Sequence, residues 1–231
     1  MELKEFKFNK PANRPFIFSS FVSTLDGKII VKKPGYWPIG SKNDYQFFTH
    51  LRAHADAIVD ARNTAMMFGK KTIETIQSQS FNEIRSQLGK TKETEYIVIT
   101  SRPDQELLSL FTEYKPYIAT TAPVSSYDQS RILHLTGEKH IDLQAFFELC
   151  EEKGWHSVFI DGGPTLIAQL LQEQLIDELF ITIAPKIVGS EQGITLTLAE
   201  GLLFDPKEVK RFSLVSSEQV GDEVFLRYKF M

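Results

Sequence analysis

Apolar positions along the chain fall into two alternating rhythms. Short runs at Phe16–Val22, Ala57–Val59, Tyr96–Thr100, Tyr117–Ala119, Arg131–Leu135, Ser157–Ile160 and Leu179–Ile183 have the length and composition of strands. Among them lie Asp44–Ala55, Phe81–Leu88, Glu106–Phe111, Asp142–Lys153 and Pro164–Glu173, which read as helices. Local punctuation agrees. Ser41 offers an N-cap with Asp44 three residues on, Gly89 and Gly154 stand just past helix ends, and Pro164 opens its helix. Ser213–Gln219 and Val224–Phe230, joined through Gly221-Asp222, read as a closing hairpin. Strands spaced by helices predict an α/β fold: a mostly parallel central sheet with helices on both faces and an antiparallel C-terminal hairpin. Ligands in such sheets bind outside the carboxyl ends of the strands, so the turns after strands are where function is sought.

Composition narrows the function classes. The 231 residues carry a formal net charge of −4, which gives no basic footprint for nucleic acid. No apolar run approaches the length of a membrane span, and the N-terminus lacks a secretory pattern, so a soluble cytoplasmic protein is expected. One cysteine, Cys150, excludes an intrachain disulfide, a Cys-based zinc cage and a Cys-x-x-Cys pair, and reads as a buried helix residue. The histidines (His50, His54, His134, His140 and His156) form no metal-binding pattern, so no metal is expected. No repeat or linker divides the chain, and one domain over 1–231 is expected.

Four segments could carry chemistry. In Asp161-Gly162-Gly163-Pro164-Thr165 a strand runs through two glycines into a helix N-terminus, which suits a phosphate or diphosphate; a plain βα turn is the simpler alternative. Thr100-Ser101-Arg102 ends a strand with two hydroxyls and a guanidinium, a set suited to a terminal phosphate such as that of NADP, or else a solvated loop. In Ser23-Thr24-Leu25-Asp26-Gly27-Lys28, Asp26 could orient a polar substrate or move a proton, or simply stabilise the bend. Finally, Arg52 and His54 lie at a helix C-terminus, where positive charge suits the dipole, and Asn63-Thr64 follow the strand after it.

Taken in order, these segments resemble the reductase domain of riboflavin biosynthesis, a family with the dihydrofolate-reductase-like three-layer fold. The resemblance rests on Val22-Ser23-Thr24-Leu25-Asp26-Gly27-Lys28, on Leu51-Arg52-Ala53-His54-Ala55-Asp56-Ala57-Ile58-Val59, and on Asp161-Gly162-Gly163-Pro164-Thr165-Leu166. It continues through Ile176-Asp177-Glu178-Leu179 and Ile183-Ala184-Pro185, and covers residues 14 to 230. It implies NADPH-dependent reduction of the ribosyl group of a phosphorylated ribosylaminopyrimidine, and a homodimer. It implies that Gly162, Gly163, Pro164 and Thr165 hold the cofactor's diphosphate, that Ser101 and Arg102 meet its 2′-phosphate, and that Asn63 and Thr64 flank the cofactor. Asp26 takes a polar catalytic role, and Ser23, Lys28 and Arg52 contact substrate. A dihydrofolate- or pteridine-type reductase, with Asp44 or Asp56 as its carboxylate, and a nucleotide-binding member without turnover are the alternatives.

The chain departs from the family in one loop. Where the family reads Val-Gly-x-Gly-Thr, this sequence has Asp60-Ala61-Arg62-Asn63-Thr64, and Met66-Met67-Phe68-Gly69-Lys70 replaces an Ala-Asp-Asp-Pro segment. Asp60 is therefore expected to set a carboxylate near phosphate, and Ala61 to crowd the backbone. Trp37-Pro38-Ile39-Gly40-Ser41 loosely matches a family Trp-Ile-Ser-Gly. The zinc deaminase half that accompanies many bacterial relatives is not expected.

Overall fold

The structure is a computed structural model that describes residues 6, 8–33, 38–137 and 141–231. Trp37 and His140, singled out above, lie outside the described residues. In chain order the elements are β1 (Phe16–Thr24), β2 (Ile30–Val31), α1 (Lys42–Ala53), β3 (Ala57–Ala61), α2 (Arg62–Gln77), α3 (Gln79–Gln87), β4 (Glu95–Ile99), α4 (Gln105–Leu108), β5 (Tyr117–Thr120) and β6 (Ile132–His134). They continue with α5 (Leu143–Glu152), β7 (Ser157–Gly162), α6 (Pro164–Gln172), β8 (Glu178–Ala184), β9 (Thr195–Leu196), β10 (Phe212–Val220) and β11 (Glu223–Phe230). They group into two compact units: one of Ile17–Leu51 with Pro164–Met231, the other of Arg52–Gly163 with the N-terminal segment ending at Phe16.

In the first unit β1 and β8 run parallel, with Thr24 opposite Ala184, while β11 pairs antiparallel to both β8 and β10. Phe47 of α1 meets Phe180 of β8 and Phe225 of β11 edge-on, at 6.0 and 5.2 Å between ring centroids. Such aromatic pairs anchor a core beyond their buried area. In the second unit the order is β7-β3-β4-β5-β6, all parallel. Nearly every residue of β3, β4 and β7 is buried, as expected of parallel strands covered on both faces. The mostly parallel α/β sheet and the antiparallel hairpin at its end are thus as the sequence predicts.

The differences are local. The first helix starts two residues early, at Lys42, because the Ser41 hydroxyl accepts from the backbone N–H of Asn43 and Asp44 at 3.1 and 3.3 Å. It stops at Ala53, and the buried Arg85 guanidinium of α3 takes the carbonyls of Ala53 and Ala55 at 2.9 and 2.6 Å. Helix α4 is only Gln105–Leu108, capped by Asp104, instead of reaching Phe111. The pattern gave no sign of α2, a helix of 16 residues. Gly89 and Gly154 do close their helices, with φ of +71° and +77°. Cys150 is buried in α5, where burial pushes its thiol pKa up. No helix among the described residues is long and apolar enough to cross a membrane, and no cluster of potential metal ligands occurs among them.

Candidate active site

Three adjacent strands of the second unit deliver the predicted cofactor residues to one sheet edge. Ala61 of β3 lies opposite Ile99 of β4, and Asp60 opposite Gly162 of β7. Asn63 and Thr64, Ser101 and Arg102, and Gly163 therefore follow the carboxyl ends of neighbouring strands, with Gly162 the last residue of β7. The backbone approaches closely at Gly162, where a Cβ would sit 3.0 Å from the Thr64 side chain. Gly163 holds φ at +103°, a conformation that favours glycine. The chain then enters α6 at Pro164 and Thr165, where the Pro164 carbonyl accepts from Glu200 N at 3.2 Å.

Helix α2 begins directly at the end of β3. Its N-cap is Ala61, which brings no side-chain acceptor to the first-turn N–H groups. Those groups and the positive end of a long helix suit an anion. Ala61 sits at φ −74° and ψ 156°, ordinary extended backbone, so the missing glycines create no strain. Asp60 corrects its expectation more sharply. Its carboxylate is fully buried and accepts from the Tyr96 hydroxyl at 2.7 Å, so it faces the interior and not an incoming phosphate. Burial raises its pKa to about 6, with Tyr96 and Arg52 pulling the other way.

Arg52 is committed inside the second unit. Its guanidinium pairs with Asp161 of β7 and donates to Thr72 of α2 at 3.2 Å. Both members of the Arg52–Asp161 pair have nearly buried side chains, and the pair fixes the strand end just before Gly162. Arg102 is 70% exposed and pairs with Asp104 at 3.0 Å. The same Asp104 takes Arg62, the first residue of α2, at 2.8 Å. Sequence reading passed over Arg62; its signal was a guanidinium at the opening turn of a helix that starts on a ligand-facing strand end.

The predicted substrate residues Ser23, Asp26 and Lys28 lie in the first unit, at and beyond the end of β1. Ser23 is buried and donates to the Thr24 carbonyl at 3.0 Å. Asp26 accepts from the Thr24 hydroxyl at 2.6 Å and from the backbone N–H of Val188 and Gly189 at 3.3 and 2.8 Å. These bonds, the Thr24 hydroxyl first, lower its pKa and keep it ionised. Lys28 donates its backbone N–H to Thr24 Oγ1 at 2.9 Å, closing the turn.

A second carboxylate in this unit behaves in the opposite way. Burial of Asp44, in the first turn of α1, raises its pKa to about 6; nearby Glu223 adds to the rise, while Thr182 and Lys186 oppose it. Glu223 is itself buried and accepts from Ser41 N and Oγ at 2.9 and 2.5 Å. The reciprocal arm of the Ser41 cap thus comes from β11, not from Asp44.

Comparison with known proteins gives the family and the fold. The sequence matches the RibD C-terminal domain family over residues 15–226. It is 26% identical over 224 residues to the 2,5-diamino-6-ribosylamino-4(3H)-pyrimidinone 5′-phosphate reductase of Archaeoglobus fulgidus, covering 94% of this chain and 99% of that protein. Among solved structures, a pyrimidine reductase-like protein from Corynebacterium diphtheriae superposes with a TM-score of 0.71 at 20% identity, over 95% of this chain and 93% of the other. The dihydrofolate reductase of Enterococcus faecalis, complexed with NADP(H), gives 0.52 at 14% identity over 93% and 96%, which shows the fold to be dihydrofolate-reductase-like. A family match across residues 15–226, nearly the whole chain, makes this protein a member of the RibD C-terminal domain family.

Proposed function

We propose that the protein is an NADPH-dependent reductase that converts the ribosyl group of a phosphorylated ribosylaminopyrimidine to its open ribityl form. The observation that carries the reading is the edge formed by β7, β3 and β4, where a glycine turn, an uncapped helix N-terminus and a hydroxyl–guanidinium pair follow three neighbouring strands. Family membership and the archaeal reductase at 26% identity support the substrate class.

Gly162, Gly163, Pro164 and Thr165 would hold the cofactor's diphosphate. Asn63 and Thr64 would flank it, and Ser101 and Arg102 would meet its 2′-phosphate. The close approach of Gly162 to Thr64 fits this role, because any side chain there would fill the cradle. When bound, NADPH supplies the hydride that reduces C1′ of the sugar. Ser23, Asp26 and Lys28 are assigned to the substrate. Asp26 keeps its charge, so it orients hydroxyl groups instead of donating a proton. Asp44, whose pKa burial raises to about 6, is the carboxylate whose titration range suits proton transfer near neutrality. Arg52 acts through Asp161 as a positioning residue. A single reductase domain, a homodimer and a cytoplasmic setting complete the reading.

Thermal unfolding tests it. If Kd is near 10 μM, 1 mM NADPH stabilises the protein by about 2.7 kcal/mol, and the ribosylaminopyrimidine phosphate then drives NADPH oxidation. No stabilisation by either NADPH or NADH overturns the cofactor assignment; binding without turnover points to a nucleotide-binding member. Asp44 also supports a pteridine-type reductase, in which a helix-borne carboxylate serves the heterocycle. NADPH oxidation on adding dihydrofolate, but not the pyrimidine, would select that alternative.

A further inference from the structure

Beside the strand end assigned to the 2′-phosphate, two arginines are already occupied by acids of the same chain. Arg62 Nη2 donates to Asp104 Oδ1 and Oδ2 at 2.9 and 2.8 Å and to Glu106 Oε2 at 2.9 Å. Arg102 Nε reaches Asp104 Oδ2 at 3.0 Å. Asp104 also caps α4, accepting from Leu107 N at 3.1 Å. The two guanidiniums differ in freedom: the Arg62 side chain is 13% exposed and that of Arg102 70%. Arg62 is thus held by packing as well as by its acids, and its buried Nε has no partner among the described residues.

The charges in this cluster cancel. Arg62 and Arg102 face Asp104 and Glu106, so a 2′-phosphate arriving beside Ser101 meets cations whose field is already neutralised. It must share or displace a carboxylate to form charge-assisted bonds. NADH lacks that phosphate and is indifferent to the exchange.

We infer that Asp104 competes with the cofactor's 2′-phosphate for Arg62 and Arg102, and so sets how strongly the protein discriminates NADPH from NADH. The inference rests on the NADPH reading above and adds a residue that works against phosphate binding. Glu106, whose exposed carboxylate bonds Arg62 but not Arg102 among the described residues, is the weaker competitor.

Titration of both dinucleotides by fluorescence against the parent protein, D104N, R62Q and the double variant R62Q/D104N tests it. Asparagine retains an N-cap for α4, so D104N removes the charge while leaving the helix start intact. D104N is expected to tighten NADPH about three- to fivefold, the size of an exposed charge coupling, and to leave NADH unchanged. R62Q weakens NADPH only, and the double variant loses most of the gain. The D104N gain shrinks at high salt. An NADPH affinity that is unchanged or weaker in D104N, or an equal shift for both dinucleotides, overturns the inference while leaving the NADPH reading in place. Failure of the parent protein to bind either dinucleotide overturns both.

Discussion

Asp26 and Asp44 carry the same functional group in the same unit, yet their surroundings drive them apart. Asp26 is ringed by donors, one hydroxyl and two backbone N–H groups, which favour the anion. Asp44 is half-buried, and that desolvation, with Glu223 nearby, favours the acid. The consequence for stability follows from linkage. With a folded pKa of about 6 against 3.8, the native state holds the Asp44 proton more tightly than the unfolded chain does. The native state therefore loses stability as pH rises from about 4 to 6, and the cost persists above 6. Asp44→Asn is expected to be more stable than the parent at pH 7 by at most about 3 kcal/mol, read as a higher unfolding temperature, with the gain vanishing near pH 4. A gain that is equal at pH 4 and pH 7 would show that the carboxyl is not perturbed. The sequence revealed Asp26 because it sits in a recognisable turn. It showed Asp44 as a capping residue or a pterin carboxylate, but not its shifted pKa, because the burial that drives the shift, and Glu223 of the last hairpin that adds to it, come from tertiary packing. The same blindness to long-range partners hid the Arg52–Asp161 pair and turned Asp60 outward in expectation, when its partner Tyr96 holds it inside.

At the scale of elements, the strands were legible because parallel, doubly covered strands are nearly continuous apolar runs. Helix α2 was not. Its buried positions, Ala65, Gly69, Thr72, Ile73 and Ile76, keep helical spacing, but three of them are small or polar, so the stripe does not read as apolar. The small residues have a physical reason: a Cβ on Gly69 would come within 3.0 Å of the Tyr96 hydroxyl and 3.1 Å of the Phe111 ring. The short α3 has the opposite problem, being visible in outline while its main function is hidden. Its buried Arg85 bonds the carbonyls of Ala53, Ala55 and Lys92, tying the end of α1 and the approach to β4 onto one side chain. Arg85→Leu would leave the buried Ala53 carbonyl without this donor, while Ala55 keeps the Thr94 hydroxyl at 3.2 Å and Lys92 is exposed to water. An orphaned acceptor of this kind costs about 1–3 kcal/mol, so the variant is expected to lose that amount, read as a fall in the urea midpoint at unchanged slope. A loss below about 1 kcal/mol would mean that water replaces the guanidinium there.

For the whole molecule, the hairpin raises the question of what covers it. β10 stands at the end of the strand order, pairs with β11 among the described residues, and every residue from Ser213 to Gln219 is exposed. Leu214 and Val215, at 54% and 48% exposure, sit beside each other on this strand, with Val224 exposed on β11. A nine-residue strand at the end of the strand order with exposed branched apolar side chains is a template for a further strand, and proteins that leave such an edge open usually blunt it with lysine or proline. β10 contains neither. A second copy of the chain is the occupant that the homodimer reading provides, and the β10 edge is the surface that it would cover. Sedimentation equilibrium of the parent is then expected to give twice the chain mass at micromolar concentration. Leu214→Lys should shift that equilibrium toward the chain mass, since a lysine here meets its symmetry mate or an apolar neighbour across the edge. Because Leu214 is half exposed in the single chain, its replacement should cost the subunit itself less than about 0.5 kcal/mol. A loss of mass without a loss of fold, judged by an unchanged circular dichroism spectrum, would assign the edge to the dimer. A parent that sediments at the chain mass throughout would remove the dimer.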